Sequence, residues 1–311
     1  MITKGIIIIA GLIILIIISA TRYFFRYAVC RPAKPIEVKN QKTWKPHLEI
    51  VMEGRKWVKA HMESIEEIIS YDGLKLRAIY IPKENAKGMI VCMHGFHSNA
   101  DVDFMQEVEF LWSLGYAILL PYQRSHGKSE GKYITYGIKE RFDCKQWLEY
   151  ANEKLGVKEK NMFLCGISMG GATVMMASGL ELPENVRGII TDCGFSSPWE
   201  IIKYVAKHDY HVYKFPLLYL VNFVSRIVAG VNFKSASAKE ALKKNKIPVL
   251  FIHGDQDTYV PVGMTYENYK ACRSDKELYI VHGATHAIAF LTDMETGKKK
   301  IGDFIRKYEK E

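Results

Sequence analysis

The hydrophobic positions of this chain fall into short apolar runs that alternate with amphipathic segments. Runs of about four to eight apolar residues between turn signals are typical of buried strands, and apolar residues at helical spacing are typical of packed helices. Strands are predicted at 66–70, 74–82, 88–93, 116–121, 162–165, 186–192, 248–253 and 278–281, and helices at 102–114, 139–155, 172–179 and 296–308. This alternation indicates βαβ units and a mainly parallel sheet. Tyr71-Asp72-Gly73 predicts an antiparallel hairpin between the first two strands.

The alternation is interrupted between the strands at 186–192 and 248–253. An insertion at this point of an α/β domain covers the carboxyl ends of the strands, where ligands bind. We therefore expect a helical cap over about 198–246. Aromatic residues that either line a substrate pocket or form the core of the cap itself are Tyr204, Tyr210, Tyr213, Phe215, Tyr219, Phe223 and Phe233.

The most apolar segment lies at the N-terminus, where residues 5–20 carry no charge. At about 1.5 Å per residue they span about 24 Å, and the side chains of Lys4 and Arg22 can extend to the surface of a hydrocarbon core of about 30 Å. The residues of a following aromatic belt are Tyr23, Phe24, Phe25 and Tyr27. The pattern predicts an uncleaved single-pass anchor over 1–29. A cleaved signal peptide is the alternative, although Ile18-Ser19-Ala20 is a poor cleavage site.

Residues 30–62 are polar, basic and proline-containing, and they predict a tether that ends in an amphipathic helix near 48–61. The remaining residues, 63–311, form the predicted catalytic domain. More basic residues follow the apolar segment than precede it, namely Arg22, Arg26, Arg31 and Lys34 against Lys4. The positive-inside rule therefore favours a catalytic domain on the cytoplasmic side.

Composition excludes several classes of function. The chain has 311 residues and a net charge of +9, but its basic residues are spread out and form one tight cluster, Lys298-Lys299-Lys300, so no nucleic-acid partner is predicted. Of its six cysteines, Cys92, Cys165 and Cys193 lie in apolar strand-like runs, and no CxxC pattern occurs. We therefore expect neither a disulfide framework nor a metal site, and the cysteines favour a reducing compartment.

Candidate chemistry begins with GISMGG at 166–171, which joins a predicted strand to a predicted helix. A G-x-S-x-G sequence in that context forms a nucleophile elbow, a sharp turn that exposes the serine hydroxyl above the sheet. The two glycines, Gly166 and Gly170, leave the space that such a turn requires. Ser168 is the predicted nucleophile.

A serine nucleophile needs a base and an orienting acid, which follow it in the order acid, then histidine in this kind of fold. The strand at 248–253 is followed by Asp255 and Asp257, and the strand at 278–281 by His282 and His286. All four lie past carboxyl ends of strands, on the side of the sheet that carries the serine. We predict Asp257 as the acid, Asp255 as a turn residue, and His286 as the base, with His282 as the alternative.

An oxyanion hole needs two backbone N–H donors. One is predicted at Met169, the residue after the nucleophile, and the other at Phe96 in the loop HGFHSN, where Gly95 permits close approach of the backbone. His94 is expected to stabilise this loop rather than to take part in catalysis.

Residues 63–311 resemble the α/β-hydrolase superfamily, and within it the bacterial serine hydrolases of the serine aminopeptidase and lysophospholipase-like branches. The matching stretches are HGFHSN, YQRSHGKSEG, GISMGG, HGDQDTYVP and GATH. The resemblance implies the α/β-hydrolase fold and a Ser168–Asp257–His286 triad. One departure is Tyr122, where the family usually has an aspartate before its R-x-H-G sequence, so the support of the loop at 124–129 is expected to differ.

These residues predict transfer of an acyl group to water through an acyl-enzyme, without a cofactor or metal. The aromatic cap and the apolar N-terminus favour a carboxylesterase acting on a small-molecule or lipid-like ester. A peptidase of the prolyl or aminopeptidase type is the second hypothesis, with Glu200 or Asp209 binding a substrate amine. The third is a catalytically idle, membrane-tethered scaffold. The sequence does not predict an oligomeric state.

Overall fold

The structure is a computed structural model that describes residues 2–33, 44–212 and 216–310. The strands are β1 (Ser64–Ile69), β2 (Lys75–Ile81), β3 (Gly88–Met93), β4 (Tyr116–Tyr122), β5 (Asn161–Ile167), β6 (Val186–Asp192), β7 (Val249–Gly254) and β8 (Lys276–Val281). The helices are α1 (Ile2–Ala28), α2 (Leu48–His61), α3 (Val108–Ser113), α4 (Glu140–Lys154), α5 (Met169–Ala177), α6 (Pro198–Tyr210), α7 (Leu217–Val228), α8 (Ala238–Leu242), α9 (Gly263–Ala271), α10 (Ala289–Thr292) and α11 (Met294–Tyr308).

Within these residues the strands form one eight-stranded sheet, in the order β1-β2-β4-β3-β5-β6-β7-β8. The pairs β1–β2 and β2–β4 are antiparallel, and every pair from β4 to β8 is parallel. The mainly parallel sheet with an antiparallel edge hairpin, predicted from the sequence, is therefore confirmed.

Each face of the sheet carries its own hydrophobic core. Along β3, Met89 and Val91 belong to one core, and Ile90 and Cys92 to the other. Because helices cover both faces, every residue of β3, β4 and β5 is buried, which explains why these strands are apolar without alternation. The carboxyl ends of the parallel strands lie along a single edge of the sheet. The polar residues that follow these strands are therefore brought together at that edge.

The helix predicted at 102–114 begins only at Val108, and residues 100–107 form turns instead. The carboxylate of Asp103 accepts hydrogen bonds from the backbone N–H of Gly95, at 2.6 Å, and from the Ser98 hydroxyl. These tertiary bonds tie the segment to the loop after β3, and they outweigh the local preference for helix.

The N-terminal helix α1 lies within the predicted anchor at 1–29 and extends beyond the uncharged residues 5–20 at both ends. It contains Ile6–Ala28, a segment long and apolar enough to cross a membrane. Except for the partly buried Ile17, its large apolar side chains between Ile6 and Ile18 are 51–67% exposed. By contrast, Phe25 is buried, as is Val29 just beyond the helix, and both belong to a core of the sheet. The C-terminal end of α1 is therefore packed against the folded domain, whereas its apolar N-terminal part extends away from it.

Helix α2 has the bounds predicted for the amphipathic helix of the tether, and it buries Val51 and Val58 in the second core. Residues 34–43 of the predicted tether lie outside the described residues. The boundaries drawn at 29, 62 and 63 stay predictions.

The insertion between β6 and β7 contains α6, α7 and α8. Its aromatic residues differ in environment. Phe233 is buried against Tyr136, with ring centroids 5.6 Å apart, whereas Phe223 is exposed. Tyr210 lines a cavity described below. Tyr213 and Phe215 lie outside the described residues.

Candidate active site

Ser168 lies at the turn between β5 and α5, in a conformation that L-residues rarely adopt, with φ 55° and ψ −115°. A non-glycine residue at positive φ costs about 1–3 kcal/mol and persists only where its surroundings impose it. Here the backbone N–H of Ser168 donates to the Asp192 carbonyl at 2.8 Å. A Cβ at Gly166 would lie 2.4 Å from the Gly170 carbonyl oxygen, and one at Gly170 would lie 1.8 Å from that of Met93. The turn therefore requires both glycines.

The structure brings the three residues predicted for the triad together. His286 Nε2 lies 3.0 Å from Ser168 Oγ, and His286 Nδ1 lies 2.7 Å from Asp257 Oδ2. The other carboxylate oxygen of Asp257 accepts the backbone N–H groups of Tyr259 and Val260, each at 2.9 Å. Both oxygens of this buried side chain are thus held, and the carboxylate fixes the orientation of the imidazole.

Electrostatics keep Asp257 ionised. Burial raises its pKa, but the charge of His286 and the hydrogen bonds from His253 and His286 outweigh that effect and hold the pKa well below its usual range. A carboxylate at Nδ1 selects the tautomer with its proton on Nδ1. His286 Nε2 is then free to accept the proton of the Ser168 hydroxyl, as acyl transfer requires.

A second buried histidine, His253, contacts Asp257 and is not among the residues predicted for the site. Its Nε2 lies 3.1 Å from Asp257 Oδ2 and 2.9 Å from the Val260 carbonyl oxygen. Because both of these atoms are acceptors, Nε2 carries the proton, and Nδ1 accepts from the Thr265 hydroxyl at 2.6 Å. The signal in the sequence was a polar residue that ends the apolar run PVLFIH of β7.

The alternative base, His282, is not brought to Ser168. Its side chain is 94% exposed, and its Nδ1 lies 2.6 Å from Asp255 Oδ2. Asp255 also accepts the backbone N–H of Gly283 at 2.8 Å, in keeping with the predicted turn residue. This pair forms a separate surface cluster.

The loop after β3 lies directly against the elbow. A Cβ at Gly95 would lie 3.3 Å from Ser168 Cβ, so the backbone that leads to Phe96 approaches the serine closely. Met169, the other predicted donor, is the first residue of α5. Each of the two residues thus directly follows a residue at the elbow, and their role as oxyanion donors stays a prediction.

Buried polar contacts hold that loop in place. His94 donates from Nδ1 to the Gly95 carbonyl oxygen at 2.8 Å and accepts the Gln123 backbone N–H at Nε2, 3.0 Å away. Burial lowers the pKa of His94 to about 4, so its imidazole is neutral, as this pattern of bonds requires. His94 thus lies where it was expected, in contact with the backbone of this loop.

Support for the loop at 124–129 comes from a buried arginine. Arg124 donates from Nε to Asp143 at 2.6 Å and from Nη1 to Asp72 at 2.8 Å. Tyr122, which replaces the aspartate usual in the family, is buried, and its carbonyl accepts a hydrogen bond from the Ser129 hydroxyl. The loop is thus held by the arginine and by main-chain contacts.

An apolar cavity that is partly open to solvent borders the site. Phe96 of the loop after β3 lines it, as does Tyr259, whose ring centroid is 5.0 Å from that of His286. Its other lining comes from α6, α7, Tyr136 and the end of α1. The two residues that approach the triad therefore also border the cavity.

Neither acid proposed for binding a substrate amine belongs to this lining. Glu200 Oε2 pairs with Lys203 Nζ at 2.5 Å, and Asp209 Oδ1 lies 2.7 Å from His208 Nδ1. Both acids are partly exposed on the cap. The described lining of the cavity thus presents no acid to an amine.

Cys193, Asp257 and His286 place one potential ligand atom each within 4.8 Å of one another, the spacing of a metal site. However, His286 Nδ1 is hydrogen-bonded to Asp257. Burial raises the pKa of the Cys193 thiol well above its usual value, which disfavours the thiolate that a metal would need. The arrangement suits a hydrogen-bonded triad better than a cation.

The mainly parallel sheet, the serine elbow after β5 and the helical insertion before β7 define an α/β hydrolase. The structure of the Pyrococcus furiosus esterase Pf2001 is similar, with a TM-score of 0.66 and 25% identity, covering 82% of this chain and 96% of that one. YqkD, an uncharacterized protein of Bacillus subtilis, is 26% identical over 233 residues, 75% of this chain and 76% of its own. The thiohydrolase aneE of Aspergillus aculeatus is 28% identical over 133 residues, 41% of this chain and 40% of its own.

Residues 102–311 match the sequence profile of the prolyl oligopeptidase family, and the chain belongs to that family. Its predicted membership of the α/β-hydrolase superfamily is confirmed.

Proposed function

We propose that this protein is a serine hydrolase that cleaves carboxylic esters, with Ser168 as nucleophile, His286 as general base and Asp257 as the orienting acid. The observation that carries the proposal is the continuous line of hydrogen bonds from Ser168 Oγ through His286 to Asp257, beside an apolar cavity. A serine hydroxyl becomes an effective nucleophile when a base placed in this way removes its proton.

In the proposed reaction Ser168 Oγ attacks the ester carbonyl carbon while its proton passes to His286 Nε2. The negative charge that develops on the carbonyl oxygen is stabilised by the N–H groups of Phe96 and Met169. His286 then gives its proton to the departing alcohol, leaving an acyl-enzyme. Water attacks the acyl group with His286 again as base, and the acid product leaves Ser168 free.

An ester substrate is favoured over a peptide by the lining of the cavity. It is apolar, and the only acids offered for an amine, Glu200 and Asp209, are paired elsewhere. Similarity to Pf2001, an esterase, and to aneE, a thiohydrolase, supports cleavage of esters or thioesters. Membership of the prolyl oligopeptidase family keeps a prolyl peptidase as the second candidate. An idle scaffold is disfavoured because all three triad residues are present and aligned.

The proposed membrane attachment is a single pass through α1, uncleaved, with the hydrolase domain on the cytoplasmic side. The exposed apolar side chains of α1 support it, as does the excess of basic residues after the span. Intact mass of the protein extracted from membranes tests cleavage, because removal of residues 1–20 would shift the mass by about two kilodaltons at roughly 110 Da per residue. Protease protection in sealed vesicles tests the orientation.

The chemistry is tested with a fluorophosphonate probe and p-nitrophenyl esters on detergent-solubilised full-length protein. Wild type should label and hydrolyse esters, Ser168→Ala should do neither, and Ser113→Ala, which changes an exposed serine on α3, should behave as wild type. Prolyl and aminoacyl p-nitroanilides measure the peptidase alternative in the same assay. Efficient anilide cleavage without ester cleavage would replace the proposal by the peptidase. Folded wild type that neither labels nor hydrolyses any substrate would overturn both.

A further inference from the structure

The end of the apolar N-terminal helix forms part of the cavity beside the triad. Phe24, Tyr27 and Ala28 of α1 line this cavity together with residues of the cap. The ring of Tyr210 on α6 lies 5.3 Å from that of Phe24 and 5.8 Å from that of Tyr27, both edge to face. Tyr27 also contacts the ring of His97, which follows the predicted oxyanion donor, at 6.0 Å. The end of α1 thus forms one wall of the cavity and contacts α6 through Tyr210.

The end of α1 that lines the cavity is held in place by contacts with the rest of the domain. Val29 is fully buried, and its carbonyl accepts the Ile134 backbone N–H at 2.7 Å. The Arg31 guanidinium donates to the carbonyl oxygens of Ser129 and Gly127, each at 2.6 Å. With Phe25 buried as well, the last turn of α1 is fixed to the domain on the face that does not line the cavity.

The cavity therefore lies close to the level at which the proposed anchor leaves the bilayer. Phe24 follows the uncharged segment 5–20 by four residues, about 6 Å along a helix axis. That distance falls within the headgroup region, because a bilayer of about 40–45 Å contains a hydrocarbon core of about 30 Å.

The neighbouring helix of the cap continues this apolar surface. Helix α7 packs against α1, and its inner residues Leu218 and Val221 line the cavity. Its outer face exposes Phe223, Ile227 and Val228. An exposed apolar face beside a membrane-spanning segment fits the acyl region of a lipid surface. Substrate between α1 and α7 would reach the cavity without crossing water.

Resting on the proposed function, we infer that Phe24 and Tyr27 are specificity-determining residues that hold the acyl chain, and that the substrate is a long-chain ester taken up from the membrane. The anchor is then part of the substrate site as well as the attachment to the bilayer. An apolar chain buried against two aromatic rings gains binding energy that a two-carbon acyl group does not.

The test uses full-length protein in phosphatidylcholine nanodiscs, with p-nitrophenyl acetate and p-nitrophenyl decanoate as substrates. Phe24→Ala and Tyr27→Ala should each lower kcat/KM for the decanoate at least tenfold and change that for the acetate less than twofold. Ala28→Phe, which fills the cavity, should abolish turnover of the decanoate and spare the acetate. The control is Ile16→Ala, on the same helix but outside the cavity lining, which should leave both esters unchanged.

The outcomes separate this inference from the proposed function. Labelling of Ser168 by a small fluorophosphonate, unchanged in the variants, shows that the triad remains assembled. Suppose that wild type hydrolyses both esters, and that the α1 variants either lower kcat/KM equally for the two esters or leave both values unchanged. The anchor then does not hold the acyl chain, and this inference alone fails. If folded wild type hydrolyses neither ester, the proposed function fails and the inference falls with it.

Discussion

His253 Nε2 lies 3.1 Å from Asp257 Oδ2, the same oxygen that accepts the hydrogen bond from His286. Asp257 is therefore held by two histidines, one that faces Ser168 and one buried beneath the site. Thr265 in turn fixes the ring of His253 through Nδ1. The line of hydrogen bonds thus extends from the Thr265 hydroxyl on α9 to Ser168. We expect His253 to be a positioning residue that acts through Asp257.

Replacing His253 by alanine should lower kcat for ester hydrolysis about tenfold or more. The change leaves a buried carboxylate with one donor fewer, a loss of about 1–3 kcal/mol, and each 1.36 kcal/mol lost from transition-state stabilisation is about tenfold in rate.

The matched variants for this prediction are His253→Gln and His282→Ala. The glutamine amide can donate to Asp257 in place of the imidazole, so it should restore part of the rate that alanine loses. His282 is a surface residue paired with Asp255, and its loss should leave kcat within about twofold. If activity in His253→Ala is lost only in proportion to unfolded protein, and His253→Gln restores none of it, His253 has only a packing role.

Gly170→Ala should abolish both fluorophosphonate labelling and cooperative unfolding at ordinary temperatures. Its Cβ would lie 1.8 Å from the Met93 carbonyl oxygen, a backbone atom that cannot move without separating β3 from the elbow. Overpacking of this kind costs about 1–3 kcal/mol even where side chains can adjust, and here the obstacle is main chain. Gly263→Ala is the control, since a Cβ at the first residue of α9 meets no atom within 4 Å. Thermal melts followed by circular dichroism compare the two, and an intact, active Gly170→Ala protein would contradict the close approach.

Arg124→Gln should lower the free energy of unfolding by about 3–5 kcal/mol, because it leaves buried Asp143 without its ionic partner. Arg77→Gln removes a comparable contact on the surface, where Arg77 pairs with Glu67 in solvent, and should cost less than about 1 kcal/mol. Urea unfolding of the two variants in detergent gives the comparison. Equal losses would mean that the buried arginine contributes no more than an exposed one.

Much of the fold could be predicted because burial on both faces makes a strand apolar throughout. β3 has the bounds that the sequence predicts for this reason. The candidate triad could be predicted because its members follow carboxyl ends of strands, which meet at one edge of a parallel sheet. The predicted start of α3 was wrong because Asp103 is hydrogen-bonded to the loop after β3, and the local pattern of apolar residues does not show that contact. The same holds for the α1 wall of the cavity, which arises from contacts between distant segments.

A buried acid on the far side of the elbow gives the molecule a pH-dependent stability. Glu107 precedes α3 and lines a small internal cavity with Asp192. Burial, together with the charge of Asp192, raises the pKa of Glu107 to about 8. The folded state then holds a proton that the unfolded chain, with an ordinary glutamate pKa of about 4.3, has released. Unfolding free energy should therefore fall as pH rises from about 4.5 to 8, and it receives no contribution from this group below that window.

Glu107→Gln removes the ionisable group while keeping its volume and its contact with Gln106. The free energy of unfolding of the variant should exceed that of wild type by on the order of a few kcal/mol at pH 8 and differ little from it at pH 5. The stability of the variant should therefore vary less with pH. Glu109→Gln, exposed on α3, should stay within about 0.5 kcal/mol of wild type at both values. Urea midpoints in detergent at pH 5 and pH 8 measure the effect. Curves for Glu107→Gln and wild type that run parallel across this range would show that Glu107 is already ionised in the folded protein, with the internal cavity supplying the solvation that burial otherwise removes.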